Sequence, residues 1–170
     1  MIPRQRSGDP PDPETVIVRA VLLASEEREI PRAAVDLAAR IAERSNAPVH
    51  VFSIARVWGT SFGFPNPGLL PTKKDWDRQH EVVKKAVARL RRKGIEADAR
   101  VIGTRAAAKR IVQEARRRGC DAIVMGADPP RHMLKRDFTW SHEPYRVKAK
   151  AGDDLHVYLV VEDSAVKSAA

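Results

Sequence analysis

Apolar and polar positions along this chain follow two periods that take turns. Thr15 to Ala24 is β-branched and apolar, broken only by Arg19, and predicts a buried strand. Ile30, Ala34, Leu37, Ala38 and Ile41 then recur at spacings of three and four, the stripe of a helix that buries one side. Pro31 suits its first turn, where a missing N–H loses nothing, and Asn46 ends it. Val49 to Ile54 predicts a second strand. A long helix is expected from about Asp75 to Lys93, with Trp76, Val83, Ala86, Val87 and Leu90 on one side and Gly94 as its stop. At Ile95, Ala97, Ala99 and Val101 the period changes to two, predicting a third strand near an edge or with one less buried face. Ala107, Ala108, Ile111, Val112 and Ala115 form another helical stripe closed by Gly119. Ala122 to Met125 predicts the fourth strand and Leu155 to Val161 the fifth, with a helix over Met133 to Lys150 interrupted near Pro144.

Strands that alternate with helices, joined by right-handed crossovers, define the fold class. The expectation is α/β: a five-stranded, mostly parallel, doubly wound sheet with helices on both faces. One domain over 15–162 follows, with a disordered leader over 1–14 and a flexible tail over 163–170. Trp58 to Lys74 interrupts the rhythm with Gly59, Gly63, Pro65, Pro67, Gly68 and Pro71 around Trp58, Phe62 and Phe64. That is loop chemistry with unusual aromatic content, suited to a lid, a cover over the sheet's end or a subunit contact.

Ala122-Ile123-Val124-Met125-Gly126-Ala127-Asp128-Pro129-Pro130 carries most of the functional signal. A short apolar run ending in glycine delivers a loop to the carboxyl end of the sheet, where α/β folds hold their ligands. A phosphate cradle there needs free backbone N–H groups and a permissive backbone. Two consecutive prolines supply neither.

Composition narrows the classes. In 170 residues there is one cysteine, Cys120, which fits a reducing cytoplasm and reads as a small core residue. No apolar run approaches a membrane span of ~20 residues, and Met1 to Glu14 lacks the apolar core of a signal peptide. The net charge is +9. Its arginines cluster on helix faces and ends, as at Arg116, Arg117 and Arg118, where cations favour the helix itself. No aromatic interleaving or nucleic-acid motif accompanies them, so a nucleic-acid partner is not expected.

Catalytic signatures are missing. Ser25-Glu26-Glu27-Arg28-Glu29 stands where a dinucleotide fold carries G-x-G-x-x-G, and there is no P-loop and no G-x-S-x-G elbow. Glu26 and Glu27 imitate the acids of a phosphoacceptor domain, but Ile102-Gly103-Thr104 lacks its aspartate. Asp128, His132 and His142 are too irregularly spaced for a metal site. His50 and His156 lie within strands and read as packed or hydrogen-bonded. The catalytic and metal assignments are none.

Val101-Ile102-Gly103-Thr104 through Ile111-Val112-Gln113-Glu114-Ala115 to Cys120-Asp121-Ala122-Ile123-Val124-Met125-Gly126 resembles the universal stress protein family, as does Ala33-Ala34-Val35-Asp36-Leu37-Ala38. The resemblance covers Val16 to Val161. It implies a five-stranded parallel sheet related to the adenine nucleotide alpha hydrolases. ATP-binding members carry an aspartate ending the first strand and a G-x2-G-x9-G-(S/T) loop. Carried onto this chain, the aspartate position is Ser25 and the loop positions are Gly126, Pro129, Thr139 and Trp140. One glycine of the pattern remains, so the implied ATP site is degenerate. Asp128 and Arg131 flank it, and Arg131, Lys135 and Arg136 could replace lost amides with side-chain cations.

The resemblance implies a non-catalytic, cytoplasmic stress-response protein without a required cofactor, with weak or absent ATP binding and an unidentified protein partner. It also implies a homodimer paired through the last strand, where Leu155, Val157, Leu159 and Val161 would present a hydrophobic edge. The alternative is a sensor that holds ATP, AMP, a cyclic nucleotide or another phosphate ligand in a rearranged cleft. An enzyme of the related superfamilies would need an S-G-G-x-D-S or H-x-G-H signature, which is lacking.

Overall fold

The computed structural model describes residues 9–57, 70–128 and 143–161. Its elements run β1 (Val21–Glu26), α1 (Arg32–Ser45), β2 (Val49–Arg56), α2 (Lys73–Arg92), β3 (Ala97–Thr104), α3 (Ala107–Arg117), β4 (Ala122–Ala127), α4 (Glu143–Ala151) and β5 (His156–Val161). The strands form one sheet in the order β3-β2-β1-β4-β5, and every pairing is parallel. The chain walks outward from β1 to β3, then returns to the other side of β1, so the order reverses between β1 and β4.

The strand pleat divides the core in two. Val21, Leu23, Val49, Val51, Ala122 and Val124 point toward α1 and α2 and pack with Val35, Ala38, Ile41, Val83 and Leu90. Leu22, Ala24, Phe52, Ile54, Ile123 and Met125 point the other way and pack with Ile111, Val112, Ala115 and Val147 of α3 and α4. Full burial of each large apolar side chain contributes about 1.5–3 kcal/mol. The central strands are therefore apolar on both faces, as parallel interior strands must be.

Local chemistry sets the helix ends. Thr72 and Asp75 form a reciprocal capping box at the start of α2, and Asn46 closes α1 in the left-handed region at φ 49°. The α3 N-terminus has no cap of its own. Buried Glu143, at the start of α4, accepts from the Ala108 amide at 3.1 Å, placing a carboxylate at the positive end of α3. Pro144 stands in the first turn of α4, a position that suits a proline; residues 133–142 of the helix expected over Met133 to Lys150 lie outside the described residues.

The structure bears on three expectations. The first strand begins at Val21, not Thr15, and continues to Glu26. Residues before it are drawn in without strand partners: Val16 and Val18 are buried, while the Val18 and Arg19 amides donate to Ser45 Oγ and Asp121 Oδ2. Of the leader expected over 1–14, residues 9–14 are described, with Tyr158 Oη donating to the Pro11 carbonyl at 2.9 Å and Glu14 paired with Arg40. The third concerns β5. It is an edge strand as expected, but Leu155, Val157 and Leu159 pack into the α3/α4 core, and Val161 alone of the named four is exposed. An apolar alternation marks an inward face just as well as a dimer face.

Candidate functional site: the crevice between β1 and β4

Where strand order reverses, the carboxyl ends of β1 and β4 diverge and leave the crevice that open α/β sheets use for ligands. Ser25 lies inside β1 and is buried. Its hydroxyl donates to the Arg28 carbonyl at 2.7 Å, closing a tight turn through Glu27, whose φ of 51° is in the left-handed region. Glu27 Oε1 accepts from the Arg56 amide at 3.0 Å, and buried Glu26 pairs with the Arg56 guanidinium at 2.9 Å. The two acids that imitate a phosphoacceptor pair thus tie the end of β1 to the end of β2.

Gly126 is not a loop residue. It lies in β4, opposite Val160 of β5. A Cβ at this position would sit 2.6 and 2.7 Å from Cγ and Cδ of Pro31. The residue is glycine here because the proline that starts α1 rests on its backbone. Sequence reasoning placed Pro31 at the helix start but could not see this contact.

Asp128 follows β4 directly and pairs with Arg28 at 2.7 Å. The Tyr145 hydroxyl of α4 donates to the Asp128 carbonyl at 2.7 Å. The ion pair bridges the two lips of the crevice. Among the described residues, the crevice gathers the carboxylates Glu26, Glu27 and Asp128 against the guanidiniums Arg28 and Arg56. Ser25, Gly126 and Asp128 do converge at this end of the sheet. Pro129, Arg131, Thr139 and Trp140 lie outside the described residues, as do the Trp58–Pro71 loop apart from its last two residues, and His132 and His142.

Away from the crevice, Cys120 is buried in the α3/α4 core, and burial pushes its thiol up to about 12. It is a packed hydrophobe at neutral pH, as its sequence position implied. His50 is hydrogen-bonded to Asp98 at 3.0 Å, which fits the reading of a partnered strand histidine. No group of three metal-ligating side chains occurs among the described residues, and none of their helices is long and apolar enough to cross a membrane.

Fold and crevice together define a doubly wound α/β protein of the nucleotide-binding-like class. The sequence model of the universal stress protein family matches residues 18–141, and the chain belongs to that family. No curated protein matches it. Among solved structures it is similar to the universal stress protein from Archaeoglobus fulgidus in complex with dAMP, at 20% identity and a TM-score of 0.61, covering 85% of this chain and 98% of that one. A universal stress protein in complex with cAMP is 18% identical with a TM-score of 0.60, covering 86% and 98%. A family member from Burkholderia pseudomallei is 18% identical with a TM-score of 0.59, covering 84% and 95%. Similarity at this level establishes the shared fold; the ligands named belong to those proteins.

Proposed function

We propose that this chain is a non-catalytic, cytoplasmic regulatory member of the universal stress protein family, a homodimer whose crevice does not hold ATP in the family's usual pose. The observation that carries this reading is the Arg28–Asp128 ion pair across the lips of the crevice. It sets a carboxylate at the start of the loop that would cradle phosphates. That carboxylate competes with a phosphate for the Arg28 cation, and Pro129 and Pro130 withhold two amides from the same loop. Calorimetric titration with ATP should give no saturable heat at micromolar concentrations. Micromolar affinity, abolished by substituting Ser25, would overturn the reading.

Dimerisation is proposed through the backbone edge of β5, whose one strand neighbour among the described residues is β4. With Leu155, Val157 and Leu159 turned inward, backbone hydrogen bonds would carry the pairing, flanked by exposed Val161. Light scattering should report a dimer that Val161→Lys weakens; a monomer at every concentration would sink the claim. The sensor alternative draws on the dAMP and cAMP complexes of proteins with this fold. It requires the Arg28–Asp128 pair to open, and AMP or cAMP quenching of tryptophan fluorescence would favour it.

A further inference from the structure

A second concavity lies away from the crevice, on the α3/α4 side of the sheet. There α3 packs over β1 and β2, so the edge strand β3 runs beside the helix. Register sets Phe52 of β2 next to Arg100 of β3, and Ile54 next to Ile102. Along α3, Arg110, Gln113, Glu114 and Arg117 follow one another at spacings of three, one and three, which keeps them on one helix face. Together Phe52, Arg100, Ile102 and these four α3 residues line a cavity of about 210 Å³.

Three arginines share this cavity with one carboxylate. Glu114, buried, accepts from Arg117 at 2.6 Å and from Arg100 at 3.2 Å, and Arg118 approaches it at 3.4 Å from outside the cavity lining. Arg110 has no carboxylate within ion-pair distance among the described residues; its contact is a 3.4 Å hydrogen bond to Gln113. Each guanidinium carries five donors, more than these contacts use. The lining is therefore cationic and planar in its donors, with partly buried Ile102 as its apolar surface and Phe52 sealed beneath it.

We propose that this groove binds a small phosphate monoester, its dianion among Arg100, Arg110 and Arg117 and its apolar body against Ile102. Guanidinium forks match phosphate oxygens in pairs and form charge-assisted hydrogen bonds. The volume lies below the ~300–1,000 Å³ of sites for drug-sized ligands, which selects a small organic phosphate over a nucleoside triphosphate. Glu114 holds Arg100 and Arg117 in place and limits how much negative charge the groove accepts.

The test uses the full chain at low ionic strength, with phenyl phosphate as probe and benzoate and benzyl alcohol as the monoanionic and neutral counterparts. Calorimetry and amide NMR should show saturable binding of phenyl phosphate with shifts centred on β3 and α3. Benzoate should bind several-fold more weakly and benzyl alcohol not at all. Arg110→Gln, whose one side-chain contact among the described residues is exposed, should fold normally and lose about tenfold in affinity, the equivalent of 1.4 kcal/mol. Arg92→Gln on α2 should bind as the parent does. Absence of saturable binding, equal losses in the two variants, benzyl alcohol binding as tightly as the phosphate, or shifts centred on Ser25 and Asp128 would each overturn the proposal.

Discussion

The crevice between β1 and β4 and the groove between β3 and α3 are opposites. The crevice is the place the fold reserves for a ligand, and here the chain occupies it with its own contacts: Pro31 on Gly126, Arg28 on Asp128, the Ser25 hydroxyl on its own turn. Its described charges lean negative. The groove is an accident of α3 lying over β1 and β2 beside an edge strand, and its charges lean positive. A shared fold transmits a location for chemistry; the side chains decide whether chemistry happens there.

The largest expected effect tests whether Gly126 serves packing or a ligand. Gly126→Ala should lower stability by about 2 kcal/mol in urea unfolding, because the new methyl meets the Pro31 ring. Pro31→Ala leaves only a Cβ at that contact, 3.9 Å from the new methyl. The double variant should recover most of the loss. If the alanine penalty persists without the proline ring, the crevice is not closed by this contact.

A somewhat smaller effect is expected in the groove. Burial works against the charged form of Glu114, but Arg117, Arg100 and Arg118 outweigh it and hold its pKa below the ordinary value of 4.5. Such a carboxylate adds stability that is present above the unfolded pKa and lost as pH falls through the lower folded value. Glu114→Gln should therefore lose about 1–2 kcal/mol at pH 7. Its melting temperature should also fall less steeply than the parent's below pH 4.5. Removing this anion should also tighten phenyl phosphate, the reverse of its effect on stability. Parallel acid limbs in the two proteins would mean Glu114 does not organise the groove.

Asp128→Ala should have the smallest effect on stability, about 1 kcal/mol or less for a partly exposed ion pair. It removes the anion from the crevice lip and leaves Arg28 behind. If charge is what makes the crevice hostile to phosphate, this variant should bind ATP measurably where the parent does not. No gain would shift the explanation to the prolines and to packing around Gly126.

Much of the architecture was legible because periodicity reports burial directly. The stripe Ala107, Ala108, Ile111, Val112 and Ala115 could only be a one-sided helix, and the alternation at Ala97, Ala99 and Val101 marked the strand that proves to be an edge. The same logic misled at Thr15 to Ala20, where buried valines belong to an extended approach whose amides go to Ser45 and Asp121. It also assigned Leu155, Val157 and Leu159 to a dimer edge, although they would alternate in either role. The crevice was half legible: Ser25 and Asp128 were placed, while Arg28 and Pro31 carried no signal of what they touch. Arg117 read as a helix-end cation, and only its register opposite Arg100 makes it part of a groove.

By itself the sequence determined the family and the alternating elements, because these depend on residue types at short spacings. Tertiary structure alone decided that Gly126 answers to Pro31, that Asp128 answers to Arg28, and that Arg100, Arg110 and Arg117 meet around Glu114. Each of those contacts joins residues on different elements, and its geometry follows from strand order and helix placement, which no local pattern records.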